Sequence, residues 1–105
     1  MALPRAYRYE DEFAAAVAEV AKELPPEVVR VRYEFREDWV GEPSVFFNFT
    51  LADDAFVRGE FADLSTKIFW ILNDRLDPEE EWGVHMYLRY RTVSEQERLQ
   101  EPAWA

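Results

Sequence analysis

A chain of 105 residues that is 49% hydrophobic, 16% aromatic and 32% charged carries enough apolar material for one buried core and falls among globular rather than disordered sequences. The absence of cysteine excludes a disulfide framework, a thiolate nucleophile and a thiolate metal site. The balance of 22 acidic against 12 basic residues, a formal net charge of −10, disfavours nucleic acid as a partner and favours a basic one.

The opening MALPRAYRYE lacks the apolar run of a secretion signal, and no window approaches the ~20 apolar residues of a membrane span. A cytoplasmic protein with no membrane partner is the expectation. The segment Tyr9–Leu24 places Tyr9, Phe13, Ala16, Val17, Val20 and Leu24 at the three- and four-residue spacing of a helix face. Glu10, Asp11 and Glu12 suit its positive end, and Pro25-Pro26 stops it.

Strict alternation follows in VRVRYEFR, with Val29, Val31, Tyr33 and Phe35 on one side of a strand and Arg30, Arg32, Glu34 and Arg36 on the other. The polar EDWVGEP reads as a hairpin loop, and a second strand over Ser44–Leu51 alternates in the same way, so the pair is expected to be antiparallel. Asp53 or Asp54 caps a second predicted helix running to about Leu76, with Val57, Phe61, Leu64, Ile68, Ile71 and Leu72 facing inward. DPEEEWG ends it, and in a third strand Val84, Met86, Leu88 and Tyr90 alternate with His85, Tyr87, Arg89 and Arg91. From Ser94 the chain turns polar, with one helical turn in SEQERLQ and a final EPAWA.

The order α-β-β-α-β predicts an α+β two-layer sandwich, a three-stranded sheet with two helices on one face. One domain is expected over 1–105, its core spanning about 9–93 and its tail 94–105. A crossover through the second helix makes the third strand parallel to the second. The strand order stays open.

Five of the 12 basic residues, Arg30, Arg32, Arg36, Arg89 and Arg91, then share the sheet face away from the helices, with Tyr87 among them and Glu34 as the one acid. Three readings compete for this face. The arginines are ordinary cross-strand residues with covered stems, or they bind an anion, an acidic peptide or single-stranded RNA, or the acidic tail from Glu95 to Glu101 folds over them with Trp104 nearby. Like charges so close on one sheet require neutralisation from somewhere.

No catalytic constellation stands out. His85 is the only histidine, the serines lie in no GxSxG elbow, three glycines make no phosphate loop, and no metal set has recognisable spacing. No enzyme activity and no cofactor are expected. Phe56 and Trp70 fall off the inward stripe of the second helix, and Trp104 ends the tail; exposed aromatics beside charge are favoured anchors at protein interfaces. Open edge strands, or the Trp70 flank, would also admit a homodimer.

The succession of a strand, EDWVGEPSVFFNFTLADD, a helix, a short strand and a tail closing on EP resembles a group of small acidic bacterial proteins typically encoded beside HEPN-domain proteins. The resemblance runs from Val28 to Pro102 and rests on an acid-acid-x-x-Gly-acid loop and on element order. It implies a binding protein, an antitoxin or immunity-type partner, and carries no catalytic signature. The expectation is therefore a small acidic module that binds and masks another protein, with an anion- or nucleic-acid-binding arginine face as the alternative.

Overall fold

Three segments of alternating apolar and polar residues become three strands: β1 (Val28–Glu37), β2 (Pro43–Leu51) and β3 (His85–Thr92). The structure, a computed structural model, describes residues 3–56 and 59–105. The strand order is β1-β2-β3, so the third strand lies beside the second. β1 and β2 are antiparallel and β2 and β3 parallel, as the helical crossover between them requires. The fold is α+β.

The register puts Val31, Tyr33 and Phe35 opposite Phe49, Phe47 and Val45 on one face, and Arg30, Arg32, Glu34 and Arg36 opposite Thr50, Asn48, Phe46 and Ser44 on the other. Across the second seam, Phe47 pairs with Leu88 and Phe49 with Tyr90, while Phe46, Asn48 and Thr50 pair with Tyr87, Arg89 and Arg91. Val29 departs from the expected alternation. The ladder slips between Val28 and Arg30, so Val28 packs on the core and Val29 becomes the extra, exposed residue of a bulge.

Two main helices, α2 (Glu10–Ala21) and α3 (Phe61–Arg75), cover the apolar face. Phe13, Val17 and Val20 of α2 and Leu64, Ile68 and Leu72 of α3 join Val45, Phe47, Phe49 and Leu51 of the central strand in one buried cluster. Each such side chain contributes about 1.5–3 kcal/mol by leaving water. The acids Glu10, Asp11 and Glu12 occupy the first turn of α2.

The helices differ from their predicted bounds. Tyr9 is exposed in the joint between α2 and a preceding short helix α1 (Arg5–Arg8), rather than on the inward stripe. The second helix starts at Phe61, not at Asp53 or Asp54. Asp53–Ala55 form one 3-10 turn, and Gly59 adopts φ 69°, left-handed geometry that no helix interior accepts. Phe61 is half-buried, edge-on to Tyr90 with ring centroids 5.1 Å apart. Val57 lies outside the described residues.

DPEEEWG is also more than a charged connection. Pro78–Trp82 form a short helix α4, and the Trp82 indole is buried edge-on to Phe13 at 5.1 Å. Beyond β3 a fifth helix, α5 (Val93–Leu99), begins with a capping box in which Thr92 Oγ1 accepts from Glu95 N–H and the Glu95 carboxylate accepts from Thr92 N–H. Ser94 ties this junction to the turn after β2 by donating from both its hydroxyl and its N–H to Asp53. Among the described residues, no helix is long and apolar enough to cross a membrane.

Candidate functional site

Of the three readings of the sheet face opposite the helices, the structure matches the one in which the tail folds over it, and along β2 the face is covered. Ser44, Phe46, Asn48 and Thr50 are as buried as their core-facing neighbours. β2 is the central strand, so long side chains from both flanking strands lean over it, and the end of the chain lies across it. After α5, Gln100 takes a left-handed conformation (φ 51°), and Pro102–Trp104 form a 3-10 turn that lays Trp104 on the sheet with only 4% of its surface exposed.

The arginines hold this cover. The Arg91 guanidinium lies 4.4 Å from the Trp104 ring centroid and that of Arg89 5.8 Å, both within cation–π range. Arg91 Nη2 donates to Glu101 Oε1 at 2.6 Å and Nη1 to Gln96 Oε1 at 3.2 Å. Asn48 Nδ2 donates to the main-chain oxygen of Ala103 at 3.0 Å, and Arg30 reaches that of Ala105 at 3.5 Å. Gln96, itself buried, donates to the Glu101 carbonyl at 2.8 Å. The tail's counter-charge to the sheet is Glu101; Glu95 is taken up by the helix cap.

Toward the other end of the face, Arg89 donates from Nη2 to Glu34 at 2.7 Å and from Nε to Asn48 Oδ1 at 2.8 Å. Arg36 lies over the Phe46 ring at 4.1 Å, with Glu34 at 4.0 Å. Arg32 is exposed and donates to the carbonyl of Val31, without a carboxylate partner among the described residues. The face is thus neutralised in part from within, by Glu34 and Glu101, and Arg32 is left outward.

Tyr87 stacks on Phe46 at 4.9 Å and donates its hydroxyl to Asp38 Oδ2 at 2.7 Å. Asp38 also accepts from the N–H groups of Val40 and Glu42. The Tyr87 hydrogen bond, with those backbone donors and nearby His85 adding to it, holds the Asp38 carboxyl below the usual range against the opposing effect of desolvation. These bonds shape the β1–β2 loop, where Gly41 (φ 83°) makes the turn. They fix Trp39 at the tip, 78% exposed and 5.1 Å from the Tyr87 ring, beside exposed Val40. Sequence reasoning passed over Trp39 and Asp38; an aspartate two and four residues before backbone donors in a Gly-bearing hairpin loop was the available signal.

The remaining aromatics lie elsewhere. Phe56 is in the connection before α3 rather than on it, against Phe61 at 4.6 Å. Trp70 is 53% exposed on α3, edge-on to an equally outward Phe69 at 5.3 Å. The structure therefore brings Arg30, Arg36, Tyr87, Arg89, Arg91 and Trp104 together and leaves Phe56 and Trp70 apart from them. His85 pairs with Glu79 at 3.3 Å on the surface, and among the described residues no group of three or more His, Asp or Glu side chains is placed to hold a metal ion.

No protein-family model, no curated protein and no solved structure matches the chain.

Proposed function

We propose that the chain is a small acidic interaction protein that binds another protein and masks a basic surface on it, as an antitoxin or immunity-type partner does. The resemblance to the HEPN-neighbour proteins points the same way. The observation that carries the reading is the division of charge. The arginines of the sheet face are largely engaged by Glu34, Glu101, Phe46 and Trp104. Glu10, Asp11 and Glu12 of α2 and Glu80 of α4 are exposed, and among the described residues none of them has an ion-pair partner. Exposed Trp39 and Trp70 supply the aromatic anchors that charge alone lacks.

A protein that works this way needs no catalytic group. The alternative is an anion- or nucleic-acid-binding module, favoured by the outward, carboxylate-free Arg32. Affinity purification from the native host followed by binding measurements on the partner so identified separates the two. Reversal of Glu10, Asp11 and Glu12 to lysine together should abolish an association that weakens as salt rises, and Arg32→Glu should leave it intact. The opposite pattern overturns the acidic reading in favour of the arginine face.

A further inference from the structure

The Glu101–Ala105 segment sits on the sheet as a bound peptide would. Its main chain does not join the strand ladder. Glu101, Pro102 and Ala103 are exposed, and the segment is held by one buried indole, one ion pair and single hydrogen bonds from Asn48, Arg30 and Gln96. It leaves α5 through Gln100, whose left-handed conformation caps the helix and turns the chain back over the sheet. What it sits on is demanding. With the tail in place only 18% of the Arg91 side chain is exposed, and lifting the tail takes both Glu101 and Trp104 from its guanidinium and leaves Gln96 as its hydrogen-bond partner.

We propose that this face is a peptide-docking site that the tail occupies in cis, and that it accepts from a partner protein a short turn-forming segment carrying a carboxylate three residues ahead of an aromatic ring. The charge complementarity is that of the tail itself. Arg91 takes the carboxylate, the Arg89 and Arg91 guanidinium groups flank the ring, and Asn48 takes the main-chain carbonyl just before it. This site is separate from the acidic helices and stands whether or not they bind a partner.

The test uses the full chain and a fluorescently labelled peptide of residues 99–105, LQEPAWA, followed by anisotropy. The wild type should bind it weakly, because a tethered tail competes at an effective concentration on the order of millimolar. Trp104→Ala, which unseats the tail, should bind it at least about tenfold tighter, and adding Arg91→Ala should remove that gain. A second peptide that keeps only the Glu and the Trp at their spacing, in an unrelated background, should bind within about fivefold of the first. Should circular dichroism show Trp104→Ala to be unfolded, Glu101→Gln carries the test, with a gain in the same direction. No gain in either variant, indifference to Arg91→Ala, or binding of the native tail sequence alone overturns the proposal. So does light scattering that shows a wild-type dimer dissociated by Trp104→Ala, which assigns the face to the tail of a second copy.

Discussion

On the helix side of the sheet, Phe47 and Phe49 meet Phe13, Ile68 and Leu72 in a contact whose stabilisation scales with apolar area and has no preferred direction. On the tail side, Phe46, Asn48 and Thr50 of the same strand are equally buried, but under one indole, three guanidinium groups and a few hydrogen bonds at 2.6–3.5 Å. Burial fraction does not distinguish the two covers; the number of independent contacts that must fail together does. The helices are withdrawn only by unfolding the core, whereas the tail is five residues beyond the C-cap of α5. The two sides should therefore respond differently to single substitutions.

The largest effect belongs to the helix side. Phe47→Ala removes a fully buried ring from the middle of the central strand and should cost about 3–5 kcal/mol, a large part of the 5–15 kcal/mol that holds a typical domain. Urea unfolding measures it, and a loss below about 1 kcal/mol would mean that the helix side is not the core. Trp104→Ala removes a side chain buried to the same degree but should cost only about 2 kcal/mol, because the tail can lift away instead of enclosing a cavity. Its midpoint should fall with the urea slope unchanged, since the surface exposed on unfolding is nearly the same. Equal losses from the two substitutions would erase the distinction between the covers.

This difference also decides what was legible in the residues alone. The alternation in VRVRYEFR, SVFFNFTL and VHMYLRY placed every arginine of the sheet on its observed face, because a two-residue period constrains side-chain direction directly. The Val29 bulge was not legible, since an extra residue in a strand leaves no local mark. Nor were α1 and α4, which at four and five residues are too short to show helical periodicity, so Trp82 was passed over as a core residue. The break before α3 was signalled by Gly59 but outweighed by the apolar stripe that continued through it. The tail's seat depends on Asn48 and Arg91, far away in the chain, and was readable only as a demand for counter-charge. Which carboxylate would answer that demand depended on Thr92 claiming Glu95 first.

A smaller effect separates two arginines on the tail side. Arg89 donates to both Glu34 and Asn48 in a part-buried setting, so Arg89→Ala strands two acceptors and should cost about 1–2 kcal/mol. Arg36 stands 4.0 Å from the same carboxylate, is more exposed and keeps a cation–π contact with Phe46, so Arg36→Ala should cost about 0.5–1 kcal/mol. Half-molar salt should shrink the second loss and leave most of the first, because screening acts on the exposed pair. A double-mutant cycle with Glu34→Gln measures the Arg89 coupling, and a value near zero would remove directional bonds as the basis of the tail-side cover.

The smallest effect lies on the helix side, at a polar atom that the apolar cover fails to satisfy. The Tyr90 hydroxyl is buried with no hydrogen-bond partner among the described residues, and its ring packs on Phe49 and Phe61. Tyr90→Phe keeps the ring and deletes the unsatisfied oxygen, so at neutral pH the change should lie within about 0.5 kcal/mol of zero or be stabilising. Burial also pushes the Tyr90 phenol up to about 12 from its ordinary 10.0. The folded state then holds the proton that the unfolded state releases first, so this contribution is whole below pH 10 and fades as pH rises toward 12. Tyr90→Phe should lack that part of the alkaline loss, seen as a shallower fall of the urea midpoint between pH 10 and pH 12. A loss above about 1 kcal/mol at neutral pH would show that the hydroxyl has a partner, and would place on the helix side the kind of directional bond that otherwise marks the tail.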